Sequence, residues 1–357
     1  MLRLVVFLLV VLPSAVAADS ARRPTALLEL DGEVRFIVPL SGRVVIGGPG
    51  HAGHGWYAIV DPAGLGVLTT HRFGSCASCD LMAATSLNQG GAVMVGSWTS
   101  RPAGTSRAWV VLLDASGKPA RSALLPNSEG ARINAVAAKG ASLLIAGERV
   151  SPPGHGVESW ASELSLPELA PRAEWSFPDA LPSAATVAKI LGDHDFLVGG
   201  WRFDAQTAQL GGWLARLAYK GEPLWLTHLD GADSFEPVGV ASKGSRLLVL
   251  GHLAHARATN GELVLGLRLA SVDLHDGRVV ETWRWPADDT DTMAADMLSV
   301  AGEFLLLSAK RNGSGATATE LLRFDETHGF TPLFTWRDAT GRRVPAGALR
   351  LEDGSLL

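Results

Sequence analysis

Short apolar runs recur along the chain at a nearly constant interval. Most of them close on glycine, as in Val93-Met94-Val95-Gly96. The runs start at positions 44, 93, 143, 196, 247, 304 and 356, so successive starts are 49, 50, 53, 51, 57 and 52 residues apart. Self-similarity at a fixed period is the sequence signature of repeat architectures. The pattern therefore predicts a chain built from one repeated unit.

Each apolar run is one of four extended segments in its repeat. A first segment ends in a polar or glycine turn just before the run, and a third and a fourth segment follow after a variable loop. Several fourth segments carry tryptophan, at Trp175, Trp225, Trp283, Trp285 and Trp336. Apolar residues show no helical period, and four antiparallel strands joined by tight turns are typical of one propeller blade. We therefore expect an all-β propeller of four-stranded antiparallel blades.

The repeats resemble the bacterial secreted propeller repeats of about fifty residues, in which a strand ending Gly-Gly-x-x-Val-x-Gly precedes a Trp-x-x-x-Leu-Asp strand. The turn Asp114-Ala115-Ser116-Gly117 is more distantly similar to the Asp-x-x-x-Gly turns of quinoprotein-type propellers, including the propeller subunit of outer-membrane barrel assembly. The first resemblance covers nearly all of residues 18–357 and implies a propeller fold.

The number of blades follows from counting strands. Six blades of four use 24 strands, segments 348–351 and 355–357 add two, and Ala26–Leu30 adds one, which leaves the total one short of seven blades. A seventh blade shared between the two ends would remove exposed sheet edges. We expect seven blades closed in this way, with six as the alternative.

The N-terminus predicts export. Residues 1–17 combine Arg3, an apolar run over 4–12 and the small-residue pattern Ala15-Val16-Ala17, which is typical of a secretory signal peptide. No later run is long and uncharged enough to span a bilayer, which takes roughly 20 residues. We expect a single propeller domain over 18–357, without an integral membrane segment, in the periplasm or outside a bacterial cell.

Composition narrows the range of partners. The chain is 47% hydrophobic and 19% charged, with 40 glycines, which excludes disorder and fits many short strands. The net charge of −5 is spread without a basic block. A nucleic acid or an anionic membrane surface needs such a block. We therefore expect a protein or carbohydrate partner, no nucleic acid, and a monomeric chain.

The two cysteines, Cys76 and Cys79, lie in a predicted inter-blade loop. Oxidising export favours a disulfide between them that staples the loop. His51 and His54 lie in a loop on the same predicted face, and with the two thiolates they would form a tetrahedral zinc set. The alternatives are thus a disulfide and a zinc site.

Other candidate residues lie at the same end of the ring. The long, dissimilar loops between second and third strands emerge there, and variable loops on a rigid scaffold commonly carry binding residues. Trp98 and Trp201, just past two strand ends, are our candidates for ligand contact. Asp288, Asp289 and Asp291 with Asp296 could offer oxygen ligands to calcium, although a solvated loop is the simpler interpretation.

Motifs for catalysis do not emerge from the sequence. No nucleophile-elbow motif is present, and the paired glycines adjoin strands rather than helices, which excludes a phosphate-cradling loop. We therefore expect an exported, non-enzymatic binding or scaffolding propeller without a cofactor. A glycan-active hydrolase or lyase, a degenerate quinoprotein-like enzyme and a cell-envelope assembly factor are the alternatives, because propellers host many functions.

Overall fold

The computed structural model describes residues 4–8, 26–30, 33–50, 53–64, 66–100, 104–150, 156–177, 181–207, 209–219, 222–229, 234–256, 263–285, 291–300, 303–311, 317–337 and 349. Its 26 strands, numbered in chain order, form six four-stranded antiparallel sheets and one two-stranded sheet. The expected all-β propeller of four-stranded blades is confirmed.

Each four-stranded sheet uses four consecutive strands of the chain. Blade 1 contains β3 (Phe36–Leu40), β4 (Arg43–Gly48), β5 (Trp56–Asp61) and β6 (Gly66–Arg72). Blade 2 contains β7 (Ser78–Ser86), β8 (Ala92–Thr99), β9 (Arg107–Leu113) and β10 (Pro119–Glu129). Blade 3 contains β11 (Ala131–Lys139), β12 (Ser142–Val150), β13 (Val157–Ser165) and β14 (Pro171–Phe177).

The second half of the ring repeats this order. Blade 4 contains β15 (Ser183–Gly192), β16 (Asp195–Asp204), β17 (Gln209–Ala218) and β18 (Pro223–His228). Blade 5 contains β19 (Ser234–Lys243), β20 (Arg246–Ala256), β21 (Leu263–Asp273) and β22 (Val279–Trp285). Blade 6 contains β23 (Asp291–Val300), β24 (Glu303–Arg311), β25 (Thr317–Asp325) and β26 (Gly329–Arg337).

The expected seventh blade is wrong: the described residues form six. The strand Ala26–Leu30, which we expected to complete a shared blade, is β2 and pairs with β1 (Leu4–Leu8) in the separate two-stranded sheet. In the full-length chain, β1 pairs with the backbone groups of β2, and β2 does not join a blade. The other segments assigned to that blade, 348–351 and 355–357, contain only one described residue, at position 349.

The core of the protein lies between neighbouring blades. The first strands of successive blades contact one another, which places them innermost, and the fourth strands form the outer edges. Side chains of second and third strands are buried on both faces, so one set packs toward the preceding blade and the other toward the following blade. Burial on both faces explains why the second strands are continuous apolar runs rather than alternating ones.

The innermost strand of blades 2 to 6 is interrupted at one equivalent place. Each of these strands carries one extra residue, a β-bulge, relative to its second-strand partner. The extra residues are Met82, Asn134, Thr186, Val238 and Ala295. Bulges bend a strand and increase its local twist, so the repeated bulge gives these inner strands a common shape.

The recurring glycine of the repeat lies directly across from the bulge. Gly147 on β12 pairs with Ile133, the residue before the extra Asn134. A Cβ on Gly147 would overlap the Arg132 carbonyl oxygen and lie 2.9 Å from both the Arg132 carbonyl carbon and Ile133 Cα. Gly96 and Gly200 meet the same backbone contact in their own blades. Close approach of two backbones is therefore why the apolar runs of these second strands close on glycine.

Two bulge residues also link their blade to the next one. The side-chain amide of Asn134 donates to the Ala185 carbonyl at 3.3 Å, and the Thr186 hydroxyl donates to the Pro237 carbonyl at 2.6 Å. Each acceptor is the residue just before the extra residue of the next blade. A bulge in one blade is thus hydrogen-bonded to the bulge of its neighbour.

Candidate functional site

The two cysteines form a disulfide at the start of blade 2. Cys76 and Cys79 are bonded to each other, and both are buried against Phe73, Trp98 and Trp109. The expected disulfide is confirmed. Since a disulfide sulfur carries no thiolate, this oxidised form offers no cysteine ligand to a metal ion.

The loop that precedes β5 packs against the disulfide loop, as expected from a shared face. A Cβ on Gly53 would lie 3.4 Å from the Ser78 hydroxyl, and one on Gly55 would lie 2.9 Å from the Cys79 carbonyl oxygen. His54 lies between these glycines, and its buried Nδ1 has no hydrogen-bond partner among the described residues. His51 lies outside those residues. Zinc binding after reduction of the disulfide stays a prediction.

The calcium candidate falls largely outside the described residues, which exclude Asp288 and Asp289. Asp296 lies on β23, where its carboxylate accepts the Met297 backbone N–H at 2.7 Å. Within the described ranges, no group of three or more histidine, cysteine, aspartate or glutamate side chains is arranged to hold a metal ion.

The candidate ligand contacts Trp98 and Trp201 lie within β8 and β16, not past the strand ends as expected, and they face different neighbouring blades. Trp98 is partly buried on the blade 1 side of blade 2, with its ring 5.2 Å from that of Trp109. Trp201 shares a face of β16 with Leu197, which packs between blades 4 and 5. The carbonyl of Trp201 accepts the indole N–H of Trp213 at 3.2 Å. The two tryptophans therefore belong to separate surfaces, and ligand contact by either one stays a prediction.

Polar side chains collect on the inner two strands just beyond the glycines, toward the long-loop end. Second strands run toward that end, and first strands run away from it. The residue after each glycine therefore pairs with the first-strand residue that lies two positions before the extra residue of the bulge. Three such cross-strand pairs are polar, and we call them the polar collar: Asp80 with Ser97, Arg132 with Glu148, and Glu236 with His252.

The collar is mainly acidic and only partly neutralised. Burial raises the pKa of the Glu148 carboxyl, and the charge of Arg132 opposes part of that effect. The Arg132 guanidinium also lies 3.1 Å from the Met82 sulfur in the preceding blade. In blade 5, His252 Nδ1 lies 3.5 Å from the Glu236 carboxylate. Carboxylates of this kind can accept hydrogen bonds from hydroxyl or cationic groups of a ligand.

The third strands differ between blades at one equivalent position, and the sequence did not indicate this difference. The residue paired with the recurring glycine is tryptophan in blades 2 to 4, at Trp109, Trp160 and Trp213. Blade 5 has Arg268 and blade 6 has Glu320 at this place, and both are more than nine-tenths buried. Arg268 donates to the Leu229 carbonyl at 3.0 Å. The equivalence of these third-strand positions depends on which residue pairs with the recurring glycine. An alignment of the repeats could therefore have found the replacements of tryptophan by Arg268 and Glu320 only if the strand register had been known.

Comparisons with known proteins give only distant structural similarities. No family model matches the chain, and no curated protein matches it. A solved structure of the Dos1 propeller is similar at 11% identity and a TM-score of 0.49, covering 78% of this chain and 68% of that one. The β-propeller domain of the Trilobed protease from Pyrococcus furiosus is similar at 11% identity and a TM-score of 0.47, covering 84% and 82%. Extracellular domains 1–2 of Drosophila Semaphorin 1b are similar at 9% identity and a TM-score of 0.47, covering 92% of this chain and 85% of that one. Identities of this size carry no information on ligand or activity.

Among the residues that the structure describes, no helix has the length and apolar character needed to cross a membrane.

Proposed function

We propose that the protein is an exported, non-enzymatic binding propeller that holds a protein or carbohydrate partner at the long-loop end of the ring. The polar collar is the observation that carries this proposal, because it concentrates charged side chains around the inner strands of an otherwise apolar scaffold. Polar groups placed on rigid strands are held in fixed directions, which favours specific hydrogen bonding. The disulfide supports export, since disulfides persist in oxidising compartments.

Binding can be tested by removing negative charge from one end of the ring at a time. The collar variant is Asp80→Asn with Glu236→Gln, and the matched variant at the tight-turn end is Asp276→Asn with Glu303→Gln. The assay is binding of the purified full chain to glycan and peptide arrays. We expect the collar variant to lose at least tenfold in signal toward the best ligand and the tight-turn variant to retain it.

Two results would contradict this proposal. One is a ligand whose binding is unchanged in the collar variant. The other is turnover of a glycan substrate by the wild-type chain, which would favour the enzyme alternative. Export is tested separately, by sequencing the N-terminus of the chain after expression in a bacterium, where we expect a mature start near Ala18.

A further inference from the structure

A cleft of about 330 Å³ opens on the side of the ring between the outer strands of blades 3 and 4. Phe177, at the end of β14, forms one wall, and Leu226 and His228 of β18 form the other. Trp213 and Ser183 line its inner part. The residues that line the cleft do not include any residue of the collar. Its volume lies at the lower end of ligand pockets, which span roughly 300 to 1,000 Å³.

The apolar surface of the cleft is mainly aromatic. The ring centroids of Phe177 and Trp213 are 4.8 Å apart, and the two rings are tilted by 36° relative to each other. Trp213 is nearly fully buried, whereas Leu226 remains 49% exposed on the opposite wall. Leu226 and the two tilted rings line the same cleft, so a small apolar ring can contact aromatic and aliphatic surface at once. A small ring is therefore the shape that the cleft fits.

A buried hydroxyl gives the cleft a hydrogen-bond donor. Ser183 is 2% exposed, and its oxygen accepts the Ser159 backbone N–H at 3.0 Å. The hydroxyl hydrogen of Ser183 has no acceptor among the described residues, and the fully buried Ser159 hydroxyl likewise has no partner there. A serine hydroxyl can donate one hydrogen bond while its oxygen accepts another, so Ser183 can donate to an acceptor of a ligand in the cleft.

Glu222 is the acidic side chain among the described residues that line the cleft. Glu222 lines it and is exposed, so its carboxylate can meet a cation that arrives from solvent. An ammonium group is attracted both by a carboxylate and by the face of an aromatic ring. A cleft that offers both therefore favours a ligand with an ammonium group.

We propose that this cleft binds a small cyclic amine that also carries a hydrogen-bond acceptor. The ring lies between Leu226 and the Phe177–Trp213 pair, the ammonium group faces Glu222, and the acceptor takes the hydrogen of the Ser183 hydroxyl. This site is separate from the collar and does not depend on the function proposed there.

The test uses 4-methoxyphenethylamine, which has a ring, an amine and an ether acceptor, and 4-methoxyphenylacetate, which replaces the amine with a carboxylate. Isothermal titration of the full chain is expected to show binding of the amine at least tenfold tighter than binding of the acid. Leu226→Arg fills the cleft with a like charge and is expected to weaken amine binding at least tenfold. Leu224→Arg is the matched control, since Leu224 is 57% exposed on the same strand and does not line the cleft.

Glu222→Gln distinguishes the role of charge from that of shape. We expect it to weaken binding of the amine at least tenfold and not to weaken binding of the acid, because the carboxylate of Glu222 attracts the amine and repels the acid. Thermal melting confirms that each variant is folded. Absence of amine binding, equal binding of amine and acid, or full binding by Leu226→Arg would each overturn the proposal. A wild-type dimer that Leu226→Arg dissociates would also overturn it, because a second copy would then occupy the cleft.

Discussion

Replacing Gly147 by alanine tests whether the recurring glycine is required by backbone contact. The new Cβ would lie 2.9 Å from Ile133 Cα and from the Arg132 carbonyl carbon, whereas ordinary contacts start at 3.4 Å. Strands β11 and β12 would therefore have to separate by at least 0.5 Å, the difference between these two distances, and further to clear the overlap with the Arg132 oxygen. No flexible side chain can give way, since every contacting atom belongs to the backbone.

The size of the effect follows from two contributions. Overpacking a tight interior site costs about 1 to 3 kcal/mol. Separating the strands also weakens hydrogen bonds beside the bulge, and two such bonds contribute about 2 kcal/mol together. We expect Gly147→Ala to lower the free energy of unfolding by about 3 to 5 kcal/mol, measured by urea denaturation followed by tryptophan fluorescence and circular dichroism.

Gly66→Ala is the matched control. Gly66 also lies on a strand, and a Cβ there meets nothing within 4 Å. Its substitution should change stability by less than about 0.5 kcal/mol, as for other exposed sites. If Gly147→Ala unfolds at the same urea concentration as Gly66→Ala, the glycine is not required by contact with the bulge.

Three further perturbations address other parts of the ring. Burial lowers the pKa of Lys189 below its ordinary 10.5, so the charged amine destabilises the fold at neutral pH. Lys189→Met should raise the melting temperature at pH 7. The gain should shrink as the pH rises through 10.5 and vanish above it, where both folded and unfolded chains carry the neutral amine. Tyr57→Phe removes the hydroxyl that donates to the Gly117 carbonyl of blade 2 at 3.1 Å, and should cost about 1 kcal/mol in urea denaturation. Replacing Cys76 and Cys79 by alanine opens a very short loop and should cost about 2 kcal/mol in the same assay.

Each of these predictions has a result that contradicts it. The exposed Lys118→Met should show no gain, and a gain for Lys189→Met that persists above pH 10.5 would exclude relief of a buried charge. Equal stabilities of Tyr57→Phe and the wild type would mean that the Gly117 carbonyl finds another donor. A wild type whose stability is unaffected by reducing agent would argue against stabilisation by the disulfide.

The sequence predicts features that depend on residues near one another in the chain. The strands, their antiparallel order within each blade and the tryptophans of fourth strands could be predicted, because apolar runs and turn glycines are local signals. Trp175 and Trp225 lie in fourth strands and are buried as expected. The Cys76–Cys79 disulfide was predictable for the same reason, since only three positions separate the two residues.

The number of blades and the collar depend on pairings that local patterns do not determine. Strand counting treats Ala26–Leu30 as available to any sheet, whereas in the full-length chain this strand pairs with Leu4–Leu8. The collar depends on bulges, and one extra residue moves every later side chain of a strand to the other face. Whether Arg132 faces Glu148 therefore depends on where Asn134 is inserted relative to the second strand.

The hydrogen bonds from Asn134 to Ala185 and from Thr186 to Pro237 constrain how such a ring can lengthen by gene duplication. If blade 4 were duplicated, Thr186 of the first copy would donate to the Ala185 carbonyl of the second copy. Thr186 of the second copy would then donate to the Pro237 carbonyl, so every donor would keep an acceptor. If blade 5 were duplicated, Val238 would occupy the donor position at the junction between the two copies, and a valine side chain cannot donate a hydrogen bond. We expect ancestral duplications to be tolerated best where the duplicated unit carries its own donor to the next unit.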